Sequence, residues 1–89
     1  MKKCKLECGL TYYEATLPEI ARLGGIGICD ECNEIAGKGY LVPVLNHYMC
    51  EKCFNDWKKR ARKYPEDLYV ESQNCAYYER MIPLDKEPE

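Results

Sequence analysis

The spacing of apolar and polar positions changes several times along the chain, and each change marks an expected element. Residues 10–15, Leu-Thr-Tyr-Tyr-Glu-Ala, read as a short strand. Thr16-Leu-Pro-Glu19 then carries a capping-box signature: Thr16 caps, Pro18 is tolerated in the first turn and Glu19 reaches back. Ile20, Ala21 and Leu23 give this short helix an apolar side, and Gly24-Gly25 ends it. Residues 26–49 read as β-hairpin material. Gly37-Lys-Gly39 is a turn signal, and Tyr40-Leu-Val-Pro-Val-Leu45 is rich in strand formers, with Pro43 pointing to an edge or a bulge. Asn46-His47 is expected to make the next turn and Tyr48-Met49 a short return strand. Across 51–64 the period becomes helical: Phe54, Trp57, Ala61 and Tyr64 fall on one face, and Pro65 stops the run. A second helix is expected from about Glu71 to Met81, with Cys75, Tyr78 and Ile82 along one side. The pattern divides the chain into an N-terminal extension with a short helix (1–25), a main domain (26–84) and a polar tail (85–89) expected to fray.

Composition narrows what such a chain can be. Its 89 residues make one small domain, and small domains bury little surface, so many need a metal or disulfides. Seven cysteines are present. No apolar run of about 7–15 residues follows Met1-Lys2-Lys3, as a secretory signal requires. No stretch approaches the roughly 18 apolar residues of a membrane span. These features place the chain in the cytoplasm, where paired cysteines point to metal or redox chemistry rather than disulfides. The formal net charge is −2. Four metal-bound thiolates with a divalent ion would add about −2 more. An acidic total leans away from nucleic acid, whose binders show a basic balance or face.

The chemistry lies in the cysteines. Cys29-Asp-Glu-Cys32 and Cys50-Glu-Lys-Cys53 are separated by 17 residues, which matches the spacing of zinc sites. Two residues between thiolates let a tight turn aim both sulfurs at one ion about 2.3 Å away, and two such turns close a tetrahedron. A four-sulfur set selects zinc or iron over magnesium or calcium. Cys50-x-x-Cys53 opens the expected helix, whose free N–H groups and positive end favour thiolate. A redox dithiol would need a thioredoxin-like βαβ unit, which this layout lacks. Zn2+ is the expected ion, and an iron site of the rubredoxin type would use the same ligands.

A knuckle on a hairpin followed by a knuckle opening a helix resembles the treble-clef zinc finger. The likeness covers residues 29 to about 64 and rests on Cys29, Cys32, the Gly37/Gly39 turn, Cys50 and Cys53. It implies a small α+β zinc-binding domain, here with an additional C-terminal helix. The paired Cys-x-x-Cys units and the downstream Tyr77-Tyr78 are also similar to the Gin family of small anti-sigma factors. That similarity implies a protein-binding inhibitor. The present chain differs from that family in its extension and its Cys4/Cys8 pair.

Three further groups carry alternatives. Cys4 and Cys8 could complete a second metal site with Cys75 and His47. They could instead be free thiols or an artefactual disulfide on a mobile N-terminus, or serve together with Cys29 and Cys32 in a swapped ligand set. Cys75 on an apolar helix side reads first as a buried core thiol, and His47 first as an exposed turn residue. Lys58, Lys59, Arg60, Arg62 and Lys63 form a basic run that suits phosphates or an acidic partner, or is a solvated helix end. Eight tyrosines supply core and, with neighbours such as Tyr12/Tyr13 and Tyr77/Tyr78 pointing different ways, a partner surface. No catalytic set stands out, and a four-cysteine site leaves no open metal position. The expectation is a non-enzymatic, zinc-stabilised protein-interaction module, a bacterial or phage adaptor or regulator. The rival is a nucleic-acid-binding zinc finger using the basic helix.

Overall fold

In a computed structural model, which describes residues 1–84, a four-stranded antiparallel sheet carries helices on both faces. The order along the chain is β1 (Lys2–Lys5), β2 (Thr11–Thr16), α1 (Leu17–Ala21), β3 (Lys38–Val42), β4 (His47–Met49), α2 (Glu51–Lys58) and α3 (Leu68–Met81). The strands lie in sequence order, with Cys4 opposite Tyr12, Tyr13 opposite Leu41 and Leu41 opposite Tyr48. The expected tail, 85–89, lies outside the described residues.

Strand alternation sorts the aromatic residues into two cores. Tyr13, Ala15, Leu41 and Tyr48 face one side, where Ile20 of α1 and Tyr78 and Ile82 at the end of α3 cover them. Val42 and Met49 face the other side with Phe54 of α2, and Tyr12, Tyr40 and Trp57 pack around them. The adjacent tyrosines divide as their alternation requires. Tyr13 is fully buried and Tyr12 half-buried; Tyr78 is buried and Tyr77 exposed. Tyr13 and Tyr78 meet edge to face with ring centres 5.9 Å apart.

The N-terminal residues are built into the sheet instead of trailing from it. β1 pairs with β2 along its length, Met1 is buried, and Lys3 meets Glu79 of α3 at 2.9 Å. Residues 1–25 thus supply two of the four strands. The four residues of β1 are too short and too charged to show alternation, so only their partner strand identifies them. The capping contact at α1 forms as expected, with Thr16 N–H donating to Glu19 Oε1 at 3.0 Å.

Three expected boundaries shift. The helix over 51–64 ends at Lys58, so Ala61 and Tyr64 do not continue its face. The clustered cations beyond Lys58 disfavour a further turn, and the extended backbone of Tyr64 (φ −111°, ψ 141°) before Pro65 lies outside any helix. α3 starts three residues early, led in by a single 3₁₀ turn at Pro65–Asp67. The Gly37–Gly39 segment is not a turn, because Lys38 and Gly39 belong to β3. The reason for glycine at 39 is space. A Cβ there would lie 2.5 Å from the Met49 carbonyl oxygen and 2.8 Å from the Tyr48 ring, whereas at Gly37 nothing lies within 4 Å. Gly39→Ala is therefore expected to destabilise the metal-loaded protein by about 1–3 kcal/mol. Gly37→Ala should change stability by less than about 0.5 kcal/mol. Urea denaturation followed by Trp57 fluorescence compares them, and equal effects would contradict this packing.

α3 is tied down by polar contacts along its length. Glu71, itself buried, accepts the Thr11 N–H at 3.0 Å. Asn74 donates to the Pro43 carbonyl at 2.8 Å, and the Tyr78 hydroxyl donates to Asn46. The Tyr13 hydroxyl donates to Glu79 at 2.7 Å. Burial and these neighbours push the Tyr13 phenol well above its ordinary pKa, so it stays a donor.

Candidate metal centre

The segment between α1 and β3 folds into its own small loop, closed by a bridge between Ile28 and Ile35. Cys29 N–H donates to the Glu34 carbonyl and Asn33 N–H to the Cys29 carbonyl, each at 2.8 Å. Asn33 takes a left-handed backbone (φ 64°), a conformation asparagine accepts more readily than most residues. That residue, directly after Cys32, turns the chain back. The loop is fastened to β4 on both sides of one residue. Asp30 N–H donates to the Tyr48 carbonyl, and the Asp30 carboxylate accepts the Tyr48 N–H, both at 2.8 Å. β4 runs directly into Cys50, the N-cap of α2, and Cys53 follows in the first turn.

This route brings all four sulfurs within 4.8 Å of one another. Sulfurs bound tetrahedrally about 2.3 Å from an ion stand about 3.8 Å apart, and Cys32 Sγ and Cys50 Sγ are 3.8 Å apart. Cys29 is fully buried, Cys50 and Cys53 are half-buried, and Cys32 faces solvent. The thiols respond unequally to this crowding. Burial works to raise Cys29, yet the backbone amides of Cys50, Cys32 and Glu31 bring it down to about 7. Burial pushes Cys53 up, reinforced by hydrogen bonding to Cys50, Cys32 and Cys29. Four negative sulfurs at this distance repel one another, and a divalent cation at their centre removes the conflict. The donor set therefore fits one metal ion, with zinc and iron the ions that four thiolates suit.

The remaining expected ligands are dispersed. Cys4 lies opposite Tyr12, on the sheet face that carries Tyr40 and Phe54. Cys75 packs against the core on the other face, beside Tyr13. Cys8 is exposed in the β1–β2 turn. His47 Nδ1 meets Glu31 Oε1 at 3.1 Å, next to the metal loop but on a carboxylate. Among the described residues, the four cysteines 29, 32, 50 and 53 are the one group of three or more candidate ligands that converge. The second site assembled from Cys4, Cys8, Cys75 and His47 does not form, because the sheet separates Cys4 from Cys75. Within the basic run the cations have separate neighbours. Arg60 is paired with Asp56 at 2.7 Å, Lys58 lies 5.8 Å from the Phe54 ring centre, and Lys63 reaches the Gly9 carbonyl at 3.5 Å.

Fold and site together define a small α+β domain built around a four-cysteine metal centre. No family model, no curated protein and no solved structure matches the chain, so the comparisons lend no support to the Gin-type similarity. No helix among the described residues is long and apolar enough to cross a membrane.

Proposed function

We propose that this chain is a zinc-stabilised protein-interaction module of the cytoplasm, acting as an adaptor or inhibitor of a larger bacterial or phage machine. Anti-sigma-like inhibition is one instance of that role. The order of knuckle, hairpin and helix-opening knuckle supports the treble-clef reading. Four thiolates leave the ion no free coordination position, which supports a structural ion and a non-enzymatic role.

One observation carries the interaction reading: α3 is apolar on two sides. Its inner side sets Tyr78 against the sheet, as already described. Its outer side presents Tyr69 (73% exposed), Val70, Tyr77 and Met81 (40% exposed) to solvent. Val70, Tyr77 and Met81 recur at i, i+7 and i+11, so they share one outer sector with Tyr69 at its border. Arg80 lies 5.7 Å from the Tyr77 ring centre and supplies a charged rim. A helix with apolar residues on both sides calls for cover on both. Aromatic and methionine side chains with an arginine are the composition of interface centres. The fitting occupant is an apolar groove on a protein partner, which takes a helix by such a face.

Tyr69→Ala/Met81→Ala is expected to abolish capture of a partner that the wild-type chain retains in stoichiometric amount. Metal content and circular dichroism should be unchanged, since neither side chain is buried. Capture that survives the double variant would remove this face from the account. The rival, nucleic-acid binding through the basic run, predicts micromolar binding to DNA or RNA at low salt. That binding would show a steep salt slope and be lost when Lys58, Lys59, Arg60, Arg62 and Lys63 are changed to glutamine.

A further inference from the structure

A second surface lies beside β1, the edge strand on the other side of the sheet from β4. The β1–β2 turn and the end of α2 enclose an open cleft of about 680 Å³. Lys5, Leu6, Glu7 and Cys8 line one wall; Lys58, Lys59 and Ala61 line the other. Three lysines from segments over fifty positions apart thus border one cleft, together with the apolar Leu6 and Ala61. Lys5 and Lys59 form no ion pair among the described residues, and Lys58 is held over the Phe54 ring instead of a carboxylate. Unpaired like charges in a concave wall concentrate potential and attract anions.

Lys5 also belongs to β1, the outermost strand of the sheet. The two sheet edges are not equivalent. β4 is covered by Asp30, which bonds both backbone groups of Tyr48. β1 pairs with β2 alone, and no hydrogen bond is made to its outer edge among the described residues. Its sequence, Lys-Lys-Cys-Lys, disfavours a second copy, which would bring lysines against lysines. The same charges favour an incoming strand that carries carboxylates. A nucleic-acid strand fits less well: Glu7 stands in the wall, the chain is acidic in total, and Tyr40 and Phe54 stack on each other instead of facing solvent.

We propose that an extended acidic segment of a protein partner adds to the outer edge of β1 and places its carboxylates on Lys5, Lys58 and Lys59. The main chain of β1 supplies the pairing, and the cleft selects for negative charge beside small apolar groups. This surface deepens the interaction-module reading and rests on it, but it is separate from the α3 face.

The test uses the metal-loaded full chain and a fluorescein-labelled decapeptide of alternating glutamate and valine. Fluorescence anisotropy is expected to show salt-sensitive binding, with amide NMR shifts concentrated at Lys2–Cys8 and Lys58–Ala61. Lys5→Gln/Lys59→Gln should weaken binding about tenfold, and Arg22→Gln/Lys38→Gln, with the same loss of charge, less than about twofold. A peptide N-methylated at alternate residues, which keeps its charge but cannot pair with a strand, should not bind. Equal losses in the two double variants, undiminished binding of the N-methylated peptide, or shifts elsewhere would overturn the proposal. If instead a single-stranded DNA oligonucleotide of equal charge binds more tightly through these same lysines, the interaction-module reading itself fails. Partner capture by α3 that persists without peptide binding would sink this cleft alone.

Discussion

Stripping the metal with a chelator is expected to unfold the chain between residues 26 and 64, with loss of both sheet and helix signals. In small zinc peptides the metal contributes on the order of 10–16 kcal/mol to folding. A domain of this size has a total stability of only about 5–15 kcal/mol, so the metal term can decide whether it folds at all. The structure shows how that energy spreads. The loop bearing Cys29 and Cys32 is fastened to β4 through Asp30 and Tyr48. β4 leads into Cys50, and Cys29 and Phe54 share one core. Without the ion, four crowded sulfurs oppose this packing instead of supporting it. Far-ultraviolet circular dichroism during chelation, with the metal released measured in parallel, checks the expectation. An unchanged spectrum after verified removal would contradict it. Cys29→Ser should behave like chelation. Cys4→Ser and Cys8→Ser should leave one ion per chain, since neither sulfur approaches the centre.

Phe54→Ala is expected to lower stability by about 3–5 kcal/mol, the range for truncating a buried aromatic residue. Phe54 follows Cys53 directly and donates its N–H to the Cys50 carbonyl at 2.9 Å. Its ring stacks on Tyr40 at 4.1 Å, with planes 11° apart, and lies 4.8 Å from Tyr12. It therefore joins the metal helix to β2 and β3. Losing the ring opens a cavity at the junction between centre and sheet, so metal affinity should fall along with stability. Urea denaturation of the metal-loaded variant and competition with a chromophoric chelator measure the two effects. A Phe54→Leu variant should recover part of each. Loss of stability with metal affinity unchanged would show that the sheet and the centre are independent.

What could be read from the chain was local. The four ligands were legible because a Cys-x-x-Cys turn needs only short-range geometry, and two such turns share an ion whatever lies between. The capping contact of Thr16 with Glu19 and the existence of α3 were legible for the same reason. Boundaries were less so: the periodicity through Ala61 and Tyr64 concealed that α2 stops at Lys58. Gly39 looked like turn chemistry, but its reason lies in a ring and a carbonyl contributed by another strand.

The tertiary structure alone decided how distant segments meet. Lys2–Lys5 became a strand because β2 was there to pair with it. Cys4 and Cys75, both plausible ligands by count, ended on opposite faces of one sheet, since a strand alternates its side chains at every residue. The basic run was divided among Asp56, the Phe54 ring and Gly9, while the β1–β2 turn from the far end of the chain came to border the same cleft as Lys58 and Lys59. Each outcome depends on strand register and helix placement, which are set by burial summed over the whole domain. The sequence by itself determined a set of four cysteines fit to hold one metal ion; the packing around it determined which surfaces that set supports.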